Sequence, residues 1–194
     1  MDRTDEELVV DYLTGEESAF SELTRRNLSG VYSFVLRLVG DEQAAEDVVQ
    51  EAFVKAWKSL AKYDAKSSKF KTWLLRIARN SAIDYLRKRK HVPLSAFETD
   101  EGTNILAETV PAEEELVVAK LERIDDIKAV NEQLQKLNPK HREVLLLYYT
   151  NDSTFEEIAA VLGEPTNTVK SRHRRALQAL RELLAPEDAP QTYK

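Results

Sequence analysis

The chain has 194 residues, with 28 Lys and Arg against 34 Asp and Glu, a formal net charge of −6 at pH 7. That length suits one large domain or two small ones. It contains no cysteine, which excludes disulfides and thiolate metal sites. No apolar run approaches the ~20 residues of a membrane span, and the acidic start MDRTDEELVV lacks the apolar core of a signal peptide. The composition therefore points to a cytoplasmic protein without direct membrane insertion.

Nearly every periodic segment predicts helix, and none alternates as a strand does. Residues 5–13 predict a first helix, 16–27 a second and 28–39 a third, the last with Val31, Phe34, Val35 and Leu38 on one side. Residues 41–60 carry an uninterrupted stripe of Ala45, Val48, Val49, Ala52, Phe53, Ala56, Trp57 and Leu60. With that stripe turned inward, Asp47, Gln50, Glu51, Val54 and Lys58 occupy the outer face. Such a face is either merely solvated or a docking surface.

Residues 63–69 break the pattern as a polar loop, and helix resumes over 71–90. Charge is segregated here. Lys69, Lys71, Arg76, Arg79, Arg87, Lys88, Arg89 and Lys90 are opposed only by Asp84. Thr72, Arg76, Arg79, Asn80, Ile83 and Arg87 share one flank, with Tyr63, Phe70 and Trp73 clustered at its start. Cations beside rings suit a single-stranded nucleic acid, because cations neutralise phosphates while rings and an amide hold an unstacked base. The alternative is that Phe70 and Trp73 are core residues fixing the loop.

Between 92 and 112 the periodicity fades into an acidic stretch punctuated by Pro93, Gly102 and Pro111, which predicts a flexible linker. Helix returns at 113–137, stops at Asn138-Pro139 and restarts through 141–149. The segment 151–184 then reads as a helix-turn-helix. Ser153 and Thr154 precede Glu156 and Glu157 as a cap, Phe155, Ile158, Ala159 and Leu162 form one face, and Gly163 and Pro165 make the turn. In the second helix Val169, Ala176, Leu177, Leu180 and Leu184 form the inward stripe. Thr168, Ser171, Arg172, Arg175 and Gln178 are placed opposite, with Lys170 and Arg174 flanking them. Guanidinium forks and hydroxyls are the groups that read base edges and grip phosphates in a major groove. His173 falls inward as a packed residue. The tail, 185–194, is too polar and proline-rich to order itself. His91, His141 and His173 lack metal-ligand spacing, and no nucleophile–base pair or glycine-rich phosphate loop appears. Nothing argues for an enzyme, a cofactor or a small-molecule substrate.

The fold expected is all-α: two small helical domains, 1–91 and 113–184, on the acidic linker 92–112. In combination and order, AEDVVQEAFVKAW at 45–57, FKTWLLRIARNSAIDYLRKRK at 70–90, LNPKHREVLLLYY at 137–149 and TFEEIAAVLGEPTNTVKSRHRRAL at 154–177 resemble a bacterial RNA polymerase sigma factor of the extracytoplasmic-function (group 4) class. The resemblance implies that Asp47, Gln50, Glu51 and Phe53 dock on the β′ clamp helices of core polymerase. It implies that Tyr63, Phe70, Lys71, Trp73, Arg76, Arg79, Asn80 and Arg87 take part in −10 recognition and melting. It implies that Thr166, Thr168, Lys170, Ser171, Arg172, Arg174 and Arg175 recognise the −35 element, with the C-terminal domain beside the β flap. The linker would thread toward the polymerase cleft, and control would come from a separate anti-sigma factor. Asn167 stands where the family commonly has glycine, and Arg174 where an aromatic or aliphatic residue is common, which implies an altered −35 preference. A dimeric helix-turn-helix repressor is the alternative. It leaves the basic, aromatic flank of 63–90 unemployed and shows no sustained heptad for a dimer.

Overall fold

A computed structural model describes residues 3–90 and 127–184, and all regular structure among them is helical. The acidic linker at 92–112, the start of the helix expected from 113 and the tail from 185 lie outside the described residues. The first helix, α1 (Asp5–Leu13), begins at a capping box in which Thr4 Oγ1 accepts from the Glu7 amide and Glu7 accepts from the Thr4 amide.

The helices expected at 16–27 and 28–39 are one, α2 (Ser18–Val39). Asn27, which suggested a break, is buried within it. Its amide donates to Asp5 Oδ2 at 2.8 Å and to the Leu23 carbonyl at 3.0 Å, so a polar residue is satisfied mid-helix. Gly40 ends α2 in the left-handed conformation at φ 79°.

Asp41 caps α3 (Glu42–Ser59) by accepting from the Ala44 amide at 2.8 Å, and a 3-10 turn, Leu60–Lys62, follows. Ala45, Ala52 and Ala56 let neighbouring helices approach closely. Trp57 departs from the expected inward stripe: it is 51% exposed. At 3.6 residues per turn it sits roughly 130° from the centre of the buried arc. Its indole N–H donates to Tyr12 Oη at 2.6 Å on the surface. Next comes α4 (Phe70–Lys90), which packs on α2 and α3.

The C-terminal half contains α5 (Ile127–Lys136), α6 (Pro139–Asn151), α7 (Phe155–Leu162) and α8 (Thr166–Leu183). Asn138 caps α6 with Pro139 in its first turn. Helix α6 buries Arg142, Glu143 and Val144 through Leu147, almost its whole girth over that span. It does so by packing against α2 on one side and α5, α7 and α8 on the others. The Thr154–Glu157 capping box opens α7, and Gly163, at φ 71°, turns the chain into α8. Buried residues of both halves form one continuous apolar cluster, joined along α2–α6 and α4–α7.

Candidate functional site

The outer face of α3 presents Asp47, Gln50 and Glu51 to solvent, with Phe53 half-buried at its edge. Glu51 is paired with Lys55 at 2.8 Å, one turn on. Beside this row runs an open groove of about 820 Å³ between α2 and α3. Phe20, Leu28, Tyr32, Phe53, Val54 and Trp57 supply its apolar lining, and Gln50 its polar rim. Sequence reasoning missed the groove because it turned Trp57 inward.

At the start of α4, Tyr63, Phe70 and Trp73 pack ring to ring, with centroids 5.3–5.8 Å apart. Phe70 is 1% exposed and Trp73 9%, so both fix the loop as core residues and offer no free ring face for a base. The loop is further tied by Tyr63 Oη donating to the Ser68 carbonyl at 2.8 Å and by the Phe70 amide donating to Glu6 at 3.0 Å. Burial, with Glu6, Asp5 and Asp64 nearby, pushes the Tyr63 phenol up to about 12. The expected flank of α4 is narrower than its spacing suggested. Thr72 and Ile83 are buried, whereas Lys71, Arg76, Asn80, Arg87 and Lys88 are exposed. A cavity of about 290 Å³ lies beneath this flank, bounded by Lys62, Asp64, Ser67, Ser68, Thr72, Trp73, Arg76 and, from α7, Ala160. Lys62 and the two serines were not singled out from sequence, because a polar loop carries no periodicity to orient its side chains.

Arg79 is half-buried and turned across the interface between the halves. Its Nε and Nη2 donate to the two Glu143 carboxylate oxygens at 3.0 and 3.1 Å. Burial pushes the Glu143 carboxyl above its usual range, against the pull of Arg79 and Arg172.

The recognition helix is rotated from the sequence expectation at Arg172. That residue is 1% exposed, with Nη2 2.7 Å from Glu164 Oε2. The contact is an ion pair without good hydrogen-bond alignment. The physical reason is angular: Arg172 lies only about 80° from the centre of the buried stripe of Val169, Ala176 and Leu180. A carboxylate within reach then completes the burial. The outward row is instead Asn167, Lys170 and Gln178, with Ser171 and Arg174 half-exposed beside it. Thr166, Thr168 and Arg175 are half-buried at its margins. His173 is buried as expected, its ring 4.7 Å from Tyr148 and 5.2 Å from Phe155. Among the described residues no acidic or histidine cluster could hold a metal ion, and no helix is long and apolar enough to cross a membrane.

The fold is thus an all-helical protein with a helix-turn-helix, whose outward row carries Lys170 and Arg174, and a separate basic helix beside a hydroxyl-lined cavity. Comparison with known proteins gives the class its family. Residues 23–92 match the model of Sigma-70 region 2, and residues 133–182 match that of Sigma-70, region 4. The chain is 32% identical over 176 residues to the ECF RNA polymerase sigma factor SigW of Bacillus subtilis (strain 168), covering 88% of this chain and 91% of that protein. Among solved structures it is similar to CnrH in complex with the cytosolic domain of CnrY, with TM-score 0.66, 28% identity, and 91% and 94% of the two chains covered. It is also similar to the sigma factor RpoE in complex with the anti-sigma factor NepR from Bartonella quintana, with TM-score 0.64, 27% identity, and 85% and 96% covered. The chain belongs to the extracytoplasmic-function sigma factors. Its function is that of the family, promoter-specific initiation of transcription with core RNA polymerase. The repressor reading is set aside, since the region 2 match accounts for the half that a repressor would leave idle.

Proposed function

We propose that three surfaces divide the work of initiation within two functional domains, 1–91 and 113–184, joined by the linker 92–112. The exposed row Asp47, Gln50 and Glu51, with Phe53 at its edge, docks on the β′ clamp helices. The α4 flank meets −10 DNA through Lys71, Arg76, Arg79, Asn80 and Arg87. Tyr63, Phe70 and Trp73 act there by holding the loop and the cavity in shape, not by stacking on a base. The cavity beside Thr72 and Arg76 receives an unstacked base, whose unpairing cost is offset by hydroxyl and cation contacts. The row Asn167, Lys170, Ser171 and Arg174, flanked by Thr166, Thr168 and Arg175, enters the major groove at −35 with the domain beside the β flap. Arg172 supports the reader from inside.

The observation that carries this division is the cavity at the foot of α4, whose hydroxyls and cations (Ser67, Ser68, Thr72, Lys62 and Arg76, with Asp64) all come from the N-terminal half. Control by an anti-sigma factor and a cytoplasmic location belong to the same reading, supported by the two solved neighbours, one in complex with the cytosolic domain of CnrY and the other with the anti-sigma factor NepR. Transcription from a promoter library with randomised −10 and −35 blocks, using core polymerase with and without the chain, tests it. Defined start sites that need both blocks are expected. Starts insensitive to either block would overturn the two-surface division.

A further inference from the structure

Helix α1 precedes the residues that match Sigma-70 region 2, yet it packs against α4. The start of α4 is poorly supplied by its own sequence. The Lys69 carbonyl accepts from the Trp73 amide at 3.1 Å, which makes Lys69 the N-cap. A lysine offers no side-chain acceptor, and its cation, with that of Lys71, stands at the positive end of the helix. The first turn contains no acidic residue. The missing acceptor comes from 64 residues away, where Glu6 Oε1 of α1 accepts from the Phe70 amide at 3.0 Å. The same carboxylate faces Lys69 and the Tyr63 phenol, so it meets both ends of the loop 63–69. Between those ends Asp64 accepts from the Lys66 amide at 3.0 Å and from Ser67 Oγ at 2.7 Å. Asp64, Ser67 and Ser68 of this loop line the cavity beside Thr72 and Arg76.

We propose that Glu6 is a positioning residue for −10 base capture: from α1 it fixes the loop 63–69 and the first turn of α4, so that the cavity is formed before a base arrives. The proposal rests on the reading of that cavity as the receiver of an unstacked base. Glu6 does not line the cavity, and it acts through the loop. It is itself firmly held. Leu8 and Val9 are buried, and the Thr4–Glu7 capping box fixes the start of α1. Asp5, its neighbour in sequence, accepts from the Asn27 amide at 2.8 Å and lies 3.6 Å from Arg26 Nη1. An acceptor anchored on two sides does not follow the loop; the loop follows it. A cavity held in shape beforehand loses less conformational freedom on binding than one that orders around the base.

The test uses holoenzyme and a forked promoter recovered from the randomised library, single-stranded over the −10 non-template segment. Each nucleotide of that segment is replaced in turn by an abasic one, and affinity is measured by competition. A base held by the protein contributes about tenfold to affinity, so the parental holoenzyme should lose about that factor at one position. Glu6→Ala should shrink the loss to about twofold, by weakening the intact fork while leaving the abasic fork near parental. Glu6→Gln, whose amide oxygen still accepts from the Phe70 amide, should keep most of the parental ratio. A simple loss of folded protein weakens intact and abasic forks by the same factor and leaves their ratio unchanged. An unchanged ratio in Glu6→Ala, beside a parental preference for the intact fork, would overturn the role of Glu6 and leave the cavity reading standing. A parental holoenzyme indifferent to the abasic nucleotide at every position would overturn the cavity reading, and the role of Glu6 with it.

Discussion

Replacing Arg172 by alanine separates a structural arginine from a DNA-reading one. Its guanidinium is 1% exposed and 2.7 Å from Glu164, itself only 10% exposed, and both lie in a seam shared with Glu143. Removing one partner of a buried pair leaves the other charge uncompensated, at a cost of about 3–5 kcal/mol. For a cooperative unit of this size that lowers the melting temperature by on the order of 10 °C. Arg174→Ala, half-exposed on the outward row, should melt like the parent and lose affinity for −35 duplex by about 1–3 kcal/mol. The pair is measured by thermal unfolding at fixed concentration, followed by titration of holoenzyme onto promoter duplex well below the melting range. A further variant, Arg172→Met with Glu164→Leu, should recover much of the lost stability, since an apolar pair of similar volume often replaces a buried ion pair at little net cost. If Arg172→Ala keeps the parental melting temperature and loses duplex affinity, the residue faces DNA and the rotation derived for α8 is wrong.

Changing Asp47 and Glu51 together to lysine should weaken assembly with core polymerase at least tenfold in a competition assay, about 1.4 kcal/mol, without altering helix content. Retained affinity would remove the α3 row from the docking surface. Asn80→Ala should leave closed-complex binding near parental and depress promoter melting, seen by permanganate footprinting, with partial rescue on a pre-melted bubble. Equal losses of binding and melting would refute a late role. The Glu157 carboxyl is held below its usual range: burial works against this, but Lys69 and the Thr154 amide outweigh it. Because the folded value is depressed, the stability Glu157 contributes is present above the ordinary value of 4.5 and is lost as pH falls below it. Glu157→Gln should therefore be less stable than the parent at neutral pH and approach it under acid, as followed by denaturant unfolding across pH.

The limits of what sequence could reveal follow from the range of the interactions concerned. The cap before α7, the Gly163 turn, the Asn138-Pro139 restart and the inward His173 were legible because each depends on residues within a turn or two of one another. The basic run of α4 was legible as a charge pattern, and the family from the order of its motifs. The continuity of α2 was not, since the Asn27 amide is satisfied mid-helix partly by Asp5, on another helix, beside the Leu23 carbonyl of its own. Periodicity assigns a face to within about one position, an arc of roughly 100°, which is too coarse to place Trp57 or Arg172. Their placement was decided by Tyr12 and Glu164. Arg79 shows the same limit most clearly. Sequence supplies its charge and the flank it sits on, but what that charge meets was decided by a carboxylate on α6, brought near only when the two halves close. A long cation on a helix margin can reach water, a phosphate or a buried partner at similar local cost, and only tertiary packing chooses among them.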